Sequence, residues 1–180
     1  MEKILIVVDM QKDFVDGALG TPEAQAIVEA VVQKIRSHTG PIIATYDTHY
    51  EDYMHTAEGK NLPVPHCIRG TEGWQLDSRI AAALEGKPVR YVEKPTFGSV
   101  ALPGILSQAY DMTQVELELV GLCTDICVIS NALLLKAHFP EIPIFVDAGC
   151  CAGVTPATHE AALAAMRCCQ IGIKEALRNV

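Results

Sequence analysis

The chain has 180 residues, 49% of them hydrophobic, and a formal net charge of −8. That length and apolar content suit a single domain over residues 1–180, with a substantial core. The acidic balance without clustered Lys and Arg excludes a nucleic-acid partner, and the apolar runs are too short for a bilayer span, which excludes a membrane partner.

The N-terminal Met1-Glu2-Lys3 passes directly into the apolar run Ile4-Leu5-Ile6-Val7-Val8, too short for a signal sequence. Seven cysteines, an odd number that includes the adjacent pairs Cys150-Cys151 and Cys168-Cys169, argue against a disulfide framework. A reducing, cytoplasmic setting is the expectation. The two adjacent pairs have no function that the sequence supplies.

Taken in chain order, the first predicted strand covers residues 3–8 and ends at Asp9, in Val8-Asp9-Met10-Gln11-Lys12-Asp13-Phe14. By itself Asp9 fits a turn aspartate as well as a base. A predicted helix over 22–37 precedes a strand over 41–46, which leads into Asp47-Thr48-His49. There a carboxylate and an imidazole, two residues apart, share one side of an extended segment. His66 follows in a Pro-rich loop. One carboxylate and two imidazoles leave open positions on a divalent ion, as in a catalytic or substrate-binding site, although surface-loop histidines would read the same way. His55 is a further candidate ligand.

A helix over 76–84 and a strand over 89–93 come next, and Lys94 closes that strand. Alone it reads as a solvated lysine. A helix over 100–110 is followed by an apolar strand over 114–122 and then by Cys123-Thr124-Asp125-Ile126-Cys127-Val128. Thr124 is the predicted N-cap of a helix over 124–138. Cys127 then falls in the first turn, where the helix dipole and free amides favour a thiolate. A strand over 142–147, a helix over 156–169 and a strand over 171–174 complete the pattern.

Strands alternate with helices throughout, and the strands are nearly continuous apolar runs. Together these predict a three-layer α/β/α, doubly wound fold around a mainly parallel six-stranded sheet. In such a sheet, sites gather at the carboxyl ends of the strands. An acid, an amine and a thiol (Asp9, Lys94 and Cys127) each follow a different strand, and their convergence would make a nucleophile, its base and an electrostatic supporter.

The segments 8–14, 47–49, 65–73, 93–94 and 121–128 resemble, in order, those of the isochorismatase-like cysteine hydrolases, and within them most closely the nicotinamidases. The resemblance implies a catalytic triad of Asp9, Lys94 and Cys127, and one divalent metal ion at Asp47, His49 and His66, with zinc expected and iron or manganese as alternatives. It also places His55 where some of these enzymes have an additional metal-site histidine. A cis peptide before Cys123 is implied, with the amides of Cys123 and Cys127 forming an oxyanion hole. Phe14 would stack on the substrate ring. The partner is then a small-molecule amide, nicotinamide first, hydrolysed to nicotinate and ammonia through a thioester.

Two residues depart from that pattern. Pro63 stands where some nicotinamidases carry a tryptophan three residues before the metal histidine, and Cys123 replaces a more usual alanine. The alternatives are a superfamily hydrolase acting on another small amide, carbamoyl or ureido group, and a non-catalytic metal-binding or interaction module. Members of the family often self-associate, so a homo-oligomer is expected, and the Ala-rich segment 161–166 suits an interface or the core.

Overall fold

The computed structural model describes residues 1–174. Six strands form one sheet in the order β3-β2-β1-β4-β5-β6, and every pairing is parallel. They are β1 (Glu2–Val8), β2 (Ile42–Asp47), β3 (Val89–Lys94), β4 (Val115–Leu122), β5 (Ile144–Ala152) and β6 (Gly172–Lys174). This is the doubly wound order, in which the order of strand addition reverses between β1 and β4 and opens a crevice at their carboxyl ends.

Parallel pairing needs both faces covered. On one face α2 (Pro22–Ser37) packs with α4 (Ser78–Leu84), enclosing Leu5, Val7, Val28, Val31 and Ile80. On the other, α5 (Leu102–Ala109), α6 (Ile129–His138) and α7 (Pro156–Cys168) enclose Ile4, Ile6, Val8, Leu106, Leu135 and Leu163. Alternate residues of β1 thus serve opposite cores, which explains why the run from Ile4 to Val8 is apolar without a break. Each such side chain contributes about 1.5–3 kcal/mol by leaving water. Two short helices, α1 (Lys12–Val15) and α3 (Ala57–Asn61), lie in the segments after β1 and β2. Among the described residues no helix is long and apolar enough to cross a membrane.

The sequence expectations and the structure differ locally. Residues 124–138 are not one α-helix: Thr124–Val128 form a π turn, and α6 begins at Ile129. Thr124 does not cap it. Its hydroxyl is buried and bonded to His159 Nδ1 at 2.8 Å, so a partner 35 residues away has replaced the local cap. Strand β5 runs past Asp147 to Ala152. The structure also contains α1 and α3, too short to announce themselves by periodicity.

Candidate active site

Asp9, Lys94 and Cys127 meet at the crevice. Asp9 leaves β1 with φ of 46°, a left-handed conformation that Asp tolerates better than most residues. Thr45 of β2 fixes it: the hydroxyl donates to Asp9 Oδ1 at 2.6 Å and accepts from the Asp9 amide at 3.2 Å. The other oxygen, Oδ2, is 2.6 Å from Lys94 Nζ. It has no hydrogen bond of good geometry, so the contact is a bent ion pair. Lys94, fully buried at the end of β3, also donates to Asp47 Oδ1 at 3.3 Å, the Thr96 carbonyl at 3.0 Å and Cys127 Sγ at 3.5 Å.

Cys127 arrives on the π turn. Gly121, two residues before Cys123, has φ of 117°, and a Cβ there would collide with the Val8 carbonyl oxygen, so only glycine lets β4 approach β1 so closely. The Leu122-Cys123 peptide is cis. The Cys123 carbonyl then accepts from the amides of Ile126 at 3.1 Å and Val128 at 3.0 Å, passing over that of Cys127. Asp125 accepts from the Val154 amide at 3.2 Å, anchoring the turn from outside.

The electrostatics correct one expectation. Burial above all, joined by the charges of Asp9 and Asp47 and opposed by Lys94, raises the Cys127 thiol well above its ordinary value. The position in a helical first turn does not produce a resting thiolate, because desolvation outweighs it. Burial also raises the Asp9 carboxyl, against the pull of Lys94. For Lys94, burial acts downward but the charges of Asp9, Cys127 and Asp47 outweigh it and hold the ammonium well above its usual range. The resting state is a protonated thiol next to a raised carboxyl and a firmly charged lysine.

Beside this cluster, Asp47, His49, Glu58 and His66 present ligand atoms that all lie within 4.8 Å of one another. His49 Nε2 is 2.9 Å from Asp47 Oδ2, and His66 Nε2 is 3.6 Å from both Asp47 Oδ2 and Glu58 Oε1. The two imidazoles are brought together by backbone: the His49 amide donates to the Cys67 carbonyl at 3.0 Å, and the Arg69 amide to the His49 carbonyl at 2.8 Å. Asp13 accepts from the Cys67 amide at 2.8 Å and so holds the His66 loop from α1. His66 Nδ1 faces the Val64 carbonyl at 2.8 Å, which can only accept, so Nδ1 carries the proton. When that ring is neutral, Nε2 faces the Asp47 and Glu58 carboxylates with a lone pair, an arrangement that a cation would satisfy; without one, burial acts downward but Asp47, the Val64 carbonyl and Glu58 outweigh it and raise the imidazole.

Charge agrees with that fit. Asp9, Asp47 and Glu58 oppose one ammonium, Lys94, leaving two negative charges for a divalent ion when the imidazoles are neutral. Burial raises the Asp47 carboxyl, but His49, His66 and Lys94 outweigh it and hold Asp47 well below the usual range.

His55, an expected further ligand, lies exposed on the turn Tyr53–His55, outside this group. Glu58, on the first turn of α3, occupies the place. Sequence spacing could not single it out among the acidic residues of an irregular loop. Gln11 was likewise missed. Its side chain, wholly buried, donates to the Asp47 and Trp74 carbonyls, both at 2.8 Å, and accepts from the Asp47 amide at 2.7 Å. Gln11→Leu removes three buried bonds and leaves their partners unpaired, so a loss of about 2–4 kcal/mol is expected in urea unfolding.

Both clusters open on one small cavity of about 50 Å³, lined by Phe14, Leu19, Leu62, Phe97 and Ile126 on its apolar side and by Asp47, Glu58, His66, Cys123 and Cys127 on the other. Pro63 does not line it, and Leu62 and Phe97 do. A larger cleft of about 470 Å³ lies at the amino ends of the strands, but it contains neither thiol nor lysine.

Comparison with known proteins points the same way. The profile of the Isochorismatase domain matches residues 3–174. A protein of Bacillus subtilis (strain 168), described as the uncharacterized isochorismatase family protein PncA, is 33% identical over 143 residues, 74% of this chain and 78% of that protein. The crystal structure of nicotinamidase/pyrazinamidase PncA from Bacillus subtilis superposes with a TM-score of 0.84 at 29% identity, covering 97% of this chain and 100% of the other. The pyrazinamidase of Pyrococcus horikoshii in complex with zinc gives 0.77 at 27% identity, covering 98% and 99%.

Proposed function

Because this chain belongs to the isochorismatase domain family, whose matched relatives include nicotinamidases, we propose that it is a metal-dependent cysteine amidohydrolase whose substrate is nicotinamide. The observation that carries this reading is a cavity lined both by Cys127, whose thiol Lys94 contacts at 3.5 Å, and by Asp47, Glu58 and His66 of the group that also includes His49. Its apolar wall on one side and polar groups on the other suit an aromatic ring that carries a small polar substituent.

Chemistry follows from the protonation states. Asp9, raised by burial, takes the thiol proton as the sulfur attacks the amide carbon, and Lys94 balances the charge on sulfur. The amides of Cys123 and Cys127 meet the oxyanion; one such donor is worth about 3–4 kcal/mol of barrier. Asp9 returns its proton to the departing ammonia, and water then hydrolyses the thioester. Phe14, Phe97 and Leu62 exclude water from the ring's side of the cavity. A divalent ion, zinc on this reading, would be held by Asp47, His49, Glu58 and His66 and would supply a Lewis-acid anchor for the ring nitrogen.

The reduced, zinc-loaded protein should release ammonia from nicotinamide, and a chelator should abolish this until zinc is restored. His49→Ala should lower bound metal, measured by elemental analysis, and raise KM more than it lowers kcat. Zinc-loaded protein that leaves nicotinamide untouched but hydrolyses a carbamoyl compound would overturn the substrate and spare the mechanism.

A further inference from the structure

Asn131 is a completely buried polar side chain on α6 that none of the chemistry above uses. Its three bonds all go to the backbone around the thiol and the lysine. Nδ2 donates to the Cys127 carbonyl at 2.8 Å and to the Phe97 carbonyl at 3.2 Å, and Oδ1 accepts from the Ser99 amide at 2.9 Å. The loop it grips follows Lys94 directly, and it includes Thr96, whose carbonyl accepts from Lys94 Nζ at 3.0 Å. At Gly98 the loop lies against α6, where a Cβ would stand 3.4 Å from Ser130. One amide group therefore joins the element that carries the nucleophile to the element that orients its cation.

We propose that Asn131 is a positioning residue for the hydrolysis reaction: it latches the 95–99 loop to the Cys127 turn and thereby sets the 3.5 Å contact between Lys94 and the sulfur. The inference rests on the catalytic reading above. A buried asparagine serving the helix alone would need only the bond to Cys127, the carbonyl four residues back. The two bonds to Phe97 and Ser99 belong to the loop.

That distinction chooses the variants. Serine can bond the carbonyl four residues back on a helix, so Asn131→Ser keeps the helix contact and cuts the latch. Asn131→Asp keeps the shape and the Ser99 bond but loses both donors. Two measurements are made on each metal-loaded variant: nicotinamide hydrolysis, and the rate of Cys127 alkylation by iodoacetamide at one fixed pH, followed by mass spectrometry of that residue. With Lys94 displaced, both variants should show alkylation and kcat lowered about tenfold or more, with KM and metal content of Asn131→Ser close to those of the parent and a melting temperature lowered by the loss of two buried bonds but still well above the assay temperature. Wild-type alkylation in Asn131→Ser overturns the proposal, whatever the hydrolysis does. Slowed alkylation in a protein that never hydrolyses nicotinamide supports the latch and overturns the assigned substrate.

Discussion

Cys127→Ala is expected to lower ammonia release by about 10⁴-fold or more, the scale on which loss of a covalent nucleophile is felt, while the protein remains folded. The sulfur is the atom that Lys94 contacts at 3.5 Å within the cavity. A second thiol, Cys123, also lines that cavity, and the argument for full loss depends on its inability to substitute. Burial, followed by the charges of Asp125 and Asp9, pushes the Cys123 thiol up to about 12, but burial raises the Cys127 thiol as well, so what separates the two is the cation. Among the described residues it has no hydrogen bond with Lys94, which donates to Asp47, Thr96 and Cys127. Cys123→Ala should therefore retain most of the activity, since its backbone amide is unchanged. Stability should move little in Cys127→Ala: one buried heavy atom is lost, worth about 1 kcal/mol, and Lys94 keeps Asp9, Asp47 and Thr96. The two variants are compared by ammonia release and by calorimetric melting. Residual activity above one part in about 10³ in Cys127→Ala would mean that another group attacks the amide.

Which parts of this site could be read from the chain follows from the range of the interactions involved. Asp9, Asp47 and Lys94 close apolar strands, and a parallel sheet delivers strand ends to one edge without further information. Cys127 follows β4 for the same reason. The central strands were legible because burial on both faces leaves an uninterrupted apolar signature, as in Ile4 to Val8, whereas the edge strand β3 alternates buried and exposed residues only at its end. The path of the chain after Leu122 was not, since the π turn depends on Thr124 reaching His159 and on Asp125 reaching the Val154 amide.

The same limit explains Glu58, Gln11 and Asn131. Each acts on a residue brought near by the fold: Glu58 on His66 across the loop, Gln11 on Asp47 36 positions away, Asn131 on Ser99 32 positions away. No periodicity marks them, and their types are common in loops and caps. Gln11 and Asn131 become visible only as buried polar side chains with every bond accounted for, and Glu58 only as a half-buried carboxylate facing two imidazoles. His55 shows the converse case. Its type and approximate position suited a ligand, but the turn at Tyr53–His55 leaves it exposed while Thr56 caps α3 and brings Glu58 inward.

Lys94→Met should separate stability from catalysis. Methionine matches the length of the lysine stem and removes the charge, so Asp9 and Asp47 remain buried without their shared ammonium. Breaking a buried pair in this way costs about 3–5 kcal/mol. The pH dependence follows from the two influences left on Asp9. Burial and the charge of Asp47 both raise its carboxyl, and the opposing pull of Lys94 is gone. A carboxyl whose folded value lies above its unfolded one binds protons more tightly in the native state, so stability is highest below the unfolded value and declines as the pH rises through the folded value. Lys94→Met, metal-loaded, should therefore unfold at lower urea at about pH 8 than at about pH 5, with a steeper decline than the parent protein. Adding Asp9→Asn removes the unpaired charge and keeps an acceptor for Thr45, which donates to Oδ1 at 2.6 Å. The double variant should recover most of the stability at the higher pH and none of the hydrolysis, because base and cation are both absent. Equal stability of Lys94→Met and the parent at about pH 8 would show that the Asp9–Lys94 pair does not hold the crevice together.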